Sequence, residues 1–275
     1  MSDLILVTGA SGFVGRQVLK ELNVQNKRYR LILRSEIDKK LKNNNIESII
    51  YSKDIFSETI DWWSDVLKDV DIIIHLAWYA EPGKYVKSEK NIDCLIGTLN
   101  MAKASAIAGI RKFVGIGTCV EYDLKYGLLD ADDTPLNPKT PYAGAKAGAY
   151  MALSNYFKSL EIDFTWCRLF YLFGEGDDSR RLVPYIIQAI KEDRVVNLSS
   201  GNQVKDYLDV KEAGRQIVRL AIGNEKGPKN ICSGLPISVR QLAEKIANDY
   251  NKKNLLRFGV NSENEDDPNF VVGKI

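Results

Sequence analysis

Histidine is nearly absent: His75 is the only one in 275 residues. A zinc site or a Ser-His-Asp triad would have to rest on that one imidazole, which nearly excludes both. Cysteine is scarce too, and Cys94, Cys119, Cys167 and Cys232 stand far apart, matching no metal-ligand spacing. No charge of one sign dominates, since 38 Lys and Arg against 36 Asp and Glu leave a net charge of +2. That balance gives no electrostatic case for nucleic acid or a membrane surface. No apolar run approaches the roughly 20 residues that span a bilayer. The first such run, residues 4–7, is too short for a signal peptide and leads straight into a Gly-rich turn. Internal repeats and low-complexity segments are missing as well. What remains is 45% hydrophobic and 27% charged, the make-up of a globular protein that buries a real core. A reduced, soluble, cytoplasmic setting is expected.

Short apolar runs at 4–7, 31–33, 48–51, 71–76, 112–117 and 163–169 read as strands. Between them lie helical patterns at 13–22, 86–108 and 142–160. Strands apolar on both faces suit a parallel sheet covered by helices. The alternation predicts an α/β fold with a doubly wound parallel sheet of Rossmann type. After about Arg168 the rhythm changes. Helices are expected at 182–190, 213–221 and 239–250, the last capped by Ser238, with a strand at 207–210. The expected division is a dinucleotide-binding domain, 1–167 plus about 206–223, and a smaller C-terminal substrate lobe, 168–205 and 224–275. The polar stretch 261–269 reads as a loop.

Thr8-Gly9-Ala10-Ser11-Gly12-Phe13-Val14-Gly15 falls between the first strand and the first helix. Glycines three apart allow a tight turn and close backbone approach. The helix start then offers free N–H groups and a positive dipole end to a pyrophosphate. Gly9, Ser11, Gly12, Phe13, Val14 and Gly15 are therefore candidate cofactor residues. The second strand ends in Arg34-Ser35, where an NAD site wants an acidic residue and an NADP site an Arg. NADP(H) is favoured on that ground, with NAD(H) still possible. Asp54 and Ile55 follow the third strand, where adenine would lie. Tyr142 and Lys146 are spaced to share a helix face. Thr140 suits the N-cap and Pro141 the first helical position. An ammonium beside a phenol is expected to lower its pKa and fit it for proton transfer near neutral pH.

Together these parts resemble the extended short-chain dehydrogenase/reductase family, the NAD(P)-dependent sugar-nucleotide epimerases, dehydratases and reductases. The resemblance rests on the 8–15 loop, His75-Leu76-Ala77, Gly97-Thr98-Leu99-Asn100, residues 113–122, Tyr142 to Lys146, Arg168-Leu169-Phe170 and residues 205–210. It implies Thr118 as a hydroxyl that hydrogen-bonds the reacting oxygen and Tyr142 as the acid/base. It implies Lys146 on the nicotinamide ribose, and Leu76 and Ala77 beside the cofactor. His75 would sit near the cofactor phosphates, though a lone histidine on an apolar strand more often packs.

Departures from the family pattern narrow the reaction. The family's 4,6-dehydratases carry Asp-Glu directly after the Thr; here Cys119 and Val120 stand there. Elimination of water would lack its acid and base. Gly117-Thr118-Cys119-x-Glu121-Tyr122 instead resembles reductases of 4-keto-6-deoxy sugar nucleotides, placing Cys119 and Glu121 at the substrate, with Cys119 best read as a small buried hydrophobe. Tyr171 stands where many family epimerases have an Asn for the substrate pyrophosphate. Lys205 replaces an Arg, keeping the charge without the bidentate fork. Lys205 and Arg181 are candidates for the substrate phosphates. The resemblance also implies a further stretch beyond Gly273 to complete the substrate lobe. The expected activity is NADPH-dependent reduction of the C4 ketone of a nucleotide-linked 4-keto-6-deoxyhexose. A 4-epimerase holding NAD is the alternative, and a dinucleotide sensor or scaffold is the non-catalytic one. A homodimer is expected.

Overall fold

The computed structural model describes residues 3–35, 43–263 and 267–275. The chain runs β1 (Leu4–Thr8), α1 (Phe13–Val24), β2 (Arg28–Leu33), β3 (Ile46–Tyr51), α2 (Ile60–Val66), β4 (Ile72–His75), α3 (Lys90–Ile107) and β5 (Lys112–Thr118). Next come β6 (Leu128–Leu129), α4 (Pro141–Ser159), β7 (Asp163–Leu169), β8 (Tyr171–Phe173), α5 (Leu182–Lys191), β9 (Val196–Asn197) and β10 (Val204–Asp209). The last elements are α6 (Val210–Ile222), β11 (Gly227–Ile231), β12 (Pro236–Ser238), α7 (Val239–Asp249), β13 (Leu256–Arg257) and β14 (Phe270–Gly273).

Seven strands pair in the order β3-β2-β1-β4-β5-β7-β11, every neighbour parallel. Alternation along β1 shows why the sheet is covered on both faces. Ile5 and Val7 join a core with Val18 and Leu22 of α1 and Ile217 of α6. Leu4 and Leu6 point the other way, to Trp63 of α2, Met101 of α3 and Phe157 of α4. Strand order reverses between β1 and β4, which opens a crevice at their carboxyl ends. A second sheet, β12-β10-β14-β6 with β8 beside β10, forms the small lobe. A third cluster packs α5 and α7 over the pair β9 and β13.

Three differences from the sequence reading have physical causes. The helix expected at 86–108 is split: Tyr85–Lys87 is a 3-10 turn and α3 begins at Lys90. Between them Ser88 is extended and its Oγ accepts the Lys90 N–H at 3.2 Å, a local bond that competes with helix. Residues 227–231, expected in the small lobe, add to the large sheet as β11 beside β7. Helix α2 and the short strands β6, β8, β9, β12, β13 and β14 are too short to show a period. Of the expected 261–269 loop, residues 264–266 lie outside the described residues.

Candidate active site

The loop between β1 and α1 is built on glycine for two separate reasons. Gly9 has φ +70°, and a Cβ there would come within 2.6 Å of the Ala77 backbone nitrogen. A Cβ on Gly15 would strike the Gly9 carbonyl. The first requirement brings the loop against the segment after β4; the second seats α1 on the loop. Helix α1 starts at Gly12 with no side-chain cap, so its first amide hydrogens are free for an anion. This uncapped start, and the space that any Cβ would fill, fit a dinucleotide pyrophosphate.

A cavity of about 1220 Å³ lies over this loop and along the crevice. Its wall includes the expected Gly9, Ser11, Gly12, Phe13, Val14 and Gly15. At one end it takes in Arg34, Asp54 and Ile55; past β4 it takes in Leu76 and Ala77. Thr118, Tyr142, Lys146 and Arg181 line it too. Ser35, Cys119, Glu121, Tyr171 and Lys205 do not belong to its wall. The sequence reading missed Lys53, Trp78 and Tyr85, which do. Lys53 and Trp78 each directly adjoin a residue singled out, Asp54 and Ala77, and that adjacency was the available signal.

Thr140 caps α4 by accepting the Ala143 N–H at 3.2 Å, with Pro141 in first position. Tyr142 thus stands in the first turn and Lys146 one turn behind. The Thr118 side chain at the end of β5 acts on the Tyr142 phenol, favouring its ionised form. Lys146 is buried; its ammonium donates to the Ile116 carbonyl at 2.6 Å and lies 3.7 Å from the Trp78 ring centre. The expected lowering of the phenol pKa does not occur. Burial pushes the Tyr142 phenol above its ordinary value, with Tyr85 and Glu121 acting in the same sense and Thr118 against it. Burial also pushes the Lys146 ammonium down to about 7. Desolvation penalises whichever form is charged, so it moves an acid up and a base down.

Three substrate-side placements are corrected, those of Glu121, Lys205 and Cys119, while the reading of Cys119 as a small buried hydrophobe stands. Glu121 is fully buried. Its carboxylate accepts the Thr118 N–H at 2.7 Å, the Trp166 indole and the Arg168 guanidinium at 2.8 Å, and so braces β5 against β7 instead of meeting substrate. Lys205 is 2% exposed; its ammonium donates to Asp267 Oδ1 at 2.7 Å and to the Pro268 carbonyl at 2.6 Å. Pairing of β10 between β12 and β14 turns it inward. Cys119 packs with Tyr122 and Phe170, and burial pushes its thiol up to about 12. Tyr171 packs near Tyr207 in the small sheet, ring centres 5.8 Å apart. On the cofactor side, Ser35 is exposed beside the cavity, because the strand has already left the crevice there. Arg181 stays on the wall, paired with Asp177 at 3.2 Å.

His75 is buried. Its Nδ1 meets Thr8 Oγ1 at 2.8 Å and its Nε2 meets Thr98 Oγ1 at 3.0 Å. Burial pushes its pKa down to about 3. Both ring nitrogens are spent on hydroxyls, so His75 ties β1, β4 and α3 together.

A doubly wound sheet, an uncapped glycine loop at its switch point and a Thr-Tyr-Lys group beside it define a dinucleotide-binding enzyme of the short-chain dehydrogenase/reductase class. Residues 5–232 match the profile of the NAD dependent epimerase/dehydratase family, and the chain belongs to that family of sugar-nucleotide enzymes. A dTDP-6-deoxy-L-talose 4-dehydrogenase (NAD(+)) from Aggregatibacter actinomycetemcomitans is 28% identical over 261 residues, covering 93% of this chain and 94% of that protein. A dTDP-D-glucose 4,6-dehydratase from Dictyostelium discoideum is 26% identical over 275 residues, covering 89% of this chain and 61% of that protein. Among solved structures, a UDP-N-acetylglucosamine 4-epimerase from Methanobrevibacter ruminantium M1 superposes with a TM-score of 0.83 at 23% identity, over 100% of this chain and 90% of that one. A Thermus thermophilus UDP-glucose 4-epimerase, in complex with NAD, gives 0.81 at 18% identity over 98% and 90%. These structural likenesses establish the fold. Among the described residues no helix is long and apolar enough to cross a membrane.

Proposed function

We propose that this protein reduces the C4 ketone of a nucleotide-linked 4-keto-6-deoxyhexose, with Thr118, Tyr142 and Lys146 as its reacting group. The observation that carries the reading is the Tyr142 phenol, whose pKa burial raises. It keeps its proton at neutral pH, the state from which a reduction starts. A bound NADPH would supply the hydride to C4. Thr118 and Tyr142 hydrogen-bond the carbonyl oxygen as negative charge develops there. The Tyr142 Oη proton passes to that oxygen, giving the alcohol, and solvent returns a proton to the phenolate. Lys146, held by Ile116 and Trp78, orients the ribose and steadies the phenolate while it lasts.

Dehydration finds no apparatus. The thiol of Cys119 is far too weak an acid, and Glu121 is committed to Arg168 and Trp166. The dTDP-6-deoxy-L-talose 4-dehydrogenase works by its name at C4 of a dTDP-linked 6-deoxyhexose; run backwards, that chemistry is a C4 ketone reduction. Arg34 and Lys53, both exposed on the cavity wall, favour a cofactor with a 2′-phosphate. The proposal includes a cytoplasmic homodimer.

NADPH and NADH consumption against a panel of nucleotide-linked 4-keto-6-deoxy sugars tests the reading. Net oxidation of NADPH with at least one ketone is expected. Silence across the panel overturns it, and so does interconversion of C4 epimers with no net cofactor turnover, which would make the protein an epimerase.

A further inference from the structure

Trp78 and Tyr85 stand on the cavity wall behind the reacting pair. The Lys146 ammonium is 3.7 Å from the Trp78 ring centre, within the range at which an aromatic face attracts a cation. The Tyr85 ring meets the Tyr142 ring edge-on, with 4.8 Å between centres and 87° between planes. Both aromatic residues are tethered to one side chain. Asn91, in the first turn of α3, has no exposed surface. Its Oδ1 accepts the Trp78 indole N–H at 2.9 Å. Its Nδ2 donates to the Tyr85 carbonyl at 2.6 Å and the Ser88 carbonyl at 2.8 Å. One amide thereby spends its acceptor and both donors on the supports of the two reacting groups. A buried amide satisfied in this way has a single low-energy arrangement, because any other leaves polar groups unpaired.

We propose that Asn91 is a positioning residue: through Trp78 it fixes the Lys146 ammonium, and through residues 85–88 it fixes the Tyr142 phenol. The inference rests on the assignment of Tyr142 and Lys146 as the reacting pair. Asn91 touches neither of them. The titratable groups acting on or with Lys146 are Glu121 after β5, Cys94 on α3 and His75 on β4. Cys94 lies one turn along α3 from Asn91, so only an uncharged replacement at Asn91 leaves the charges around the lysine as they are and reaches it through the indole.

Three variants separate positioning from mere packing. Asn91→Asp keeps the indole's acceptor but sets an oxygen against two carbonyls. Asn91→Leu keeps the branched shape, though not the size, and removes every polar contact of the side chain. Trp78→Phe keeps an aromatic face without the N–H. In ligand-free protein carrying lysine isotopically labelled at Cε, NMR follows the Lys146 titration, assigned by its loss in Lys146→Met. Its midpoint is expected to move by about half a unit or more in Asn91→Leu and in Trp78→Phe. In Asn91→Asp, kcat for ketone reduction is expected to fall at least about tenfold with KM for NADPH within about threefold. An unmoved titration in Asn91→Leu overturns the proposal, as does an unchanged kcat in Asn91→Asp. If Asn91→Leu fails to fold, the uncharged Asn91→Ser carries the titration in its place and Asn91→Asp carries the kcat. If the wild-type protein reduces no ketone, the titration still decides the role of Asn91, so the two failures are read apart.

Discussion

Tyr142 and Lys146 lie one turn apart on α4, and burial moves their proton affinities in opposite senses. The phenol keeps its proton through the neutral range, whereas the ammonium gives its up near pH 7. The pH dependence of kcat/KM, which reports groups of the free enzyme, is therefore expected to fall as pH rises through about 7, as the cation that steadies the phenolate is lost. Lys146→Met should remove that limb and lower the plateau. Tyr142→Phe should cut kcat by about 100-fold or more, the usual worth of a positioned proton donor, with little change in KM for NADPH. A Tyr142→Phe enzyme with near wild-type kcat would show that another group protonates the product. The Tyr-x-x-x-Lys spacing and the cap at Thr140 were legible in the sequence because both are local. The direction of the phenol's shift was not, because it depends on how much water the neighbouring elements exclude.

At the scale of elements, single polar side chains join strands that are distant in sequence. His75 links β1, β4 and α3 through Thr8 and Thr98. Its folded pKa lies near 3, against 6.5 for an ordinary histidine. Between those values the unfolded chain binds a proton that the folded chain does not. Stability is thus fully present above about pH 6.5 and is lost as pH falls toward about 3, by about 3–5 kcal/mol from this group. Urea titrations at a series of pH values should show a steep acid limb. In His75→Gln that limb should be shallower by about one bound proton, although the variant starts less stable at pH 7. An equal slope in both proteins would place the acid sensitivity elsewhere. Lys112 does a similar bracing service, donating to the carbonyls of Leu220, Gly223 and Glu225 at the end of α6. Glu121 and Lys205 are the instructive cases. Each sits in a segment whose resemblance to substrate-binding motifs was real, yet each is turned inward to brace the lobes.

Over the whole molecule, the large sheet supplies the dinucleotide crevice, and Leu172 of β8 with Gly176 to Asp178 and Arg181 after it line one side of its cavity. Helices α3 and α4 cover one face, and their outer surface is apolar in places. Ile92 and Ile96, one turn apart on α3, are 52% and 51% exposed, and Met151 on α4 is 59% exposed. The proposed homodimer would bury them, an isologous patch meeting its own copy. Sedimentation velocity should then give a dimer for the wild-type chain and a monomer for Ile96→Glu. A wild-type monomer at micromolar concentration would dismiss the assembly.

Local chain chemistry was enough to specify the alternation of strands and helices, the glycine loop and the capped start of α4. These follow from hydrophobic period, turn chemistry and i,i+4 spacing, which act over a few residues. Which charged side chains remain available for chemistry was settled only by the assembled fold. Glu121, Lys205 and Cys119 look like site residues in the chain, and burial with partners from other strands takes them out of the cavity. Trp78, Tyr85 and Asn91 carried no signal in the chain, and contacts between the turn after β4 and the start of α3 gather them beside Tyr142 and Lys146. Desolvation and long-range pairing exist only once distant segments have come together, and desolvation is what raised the phenol and lowered the lysine.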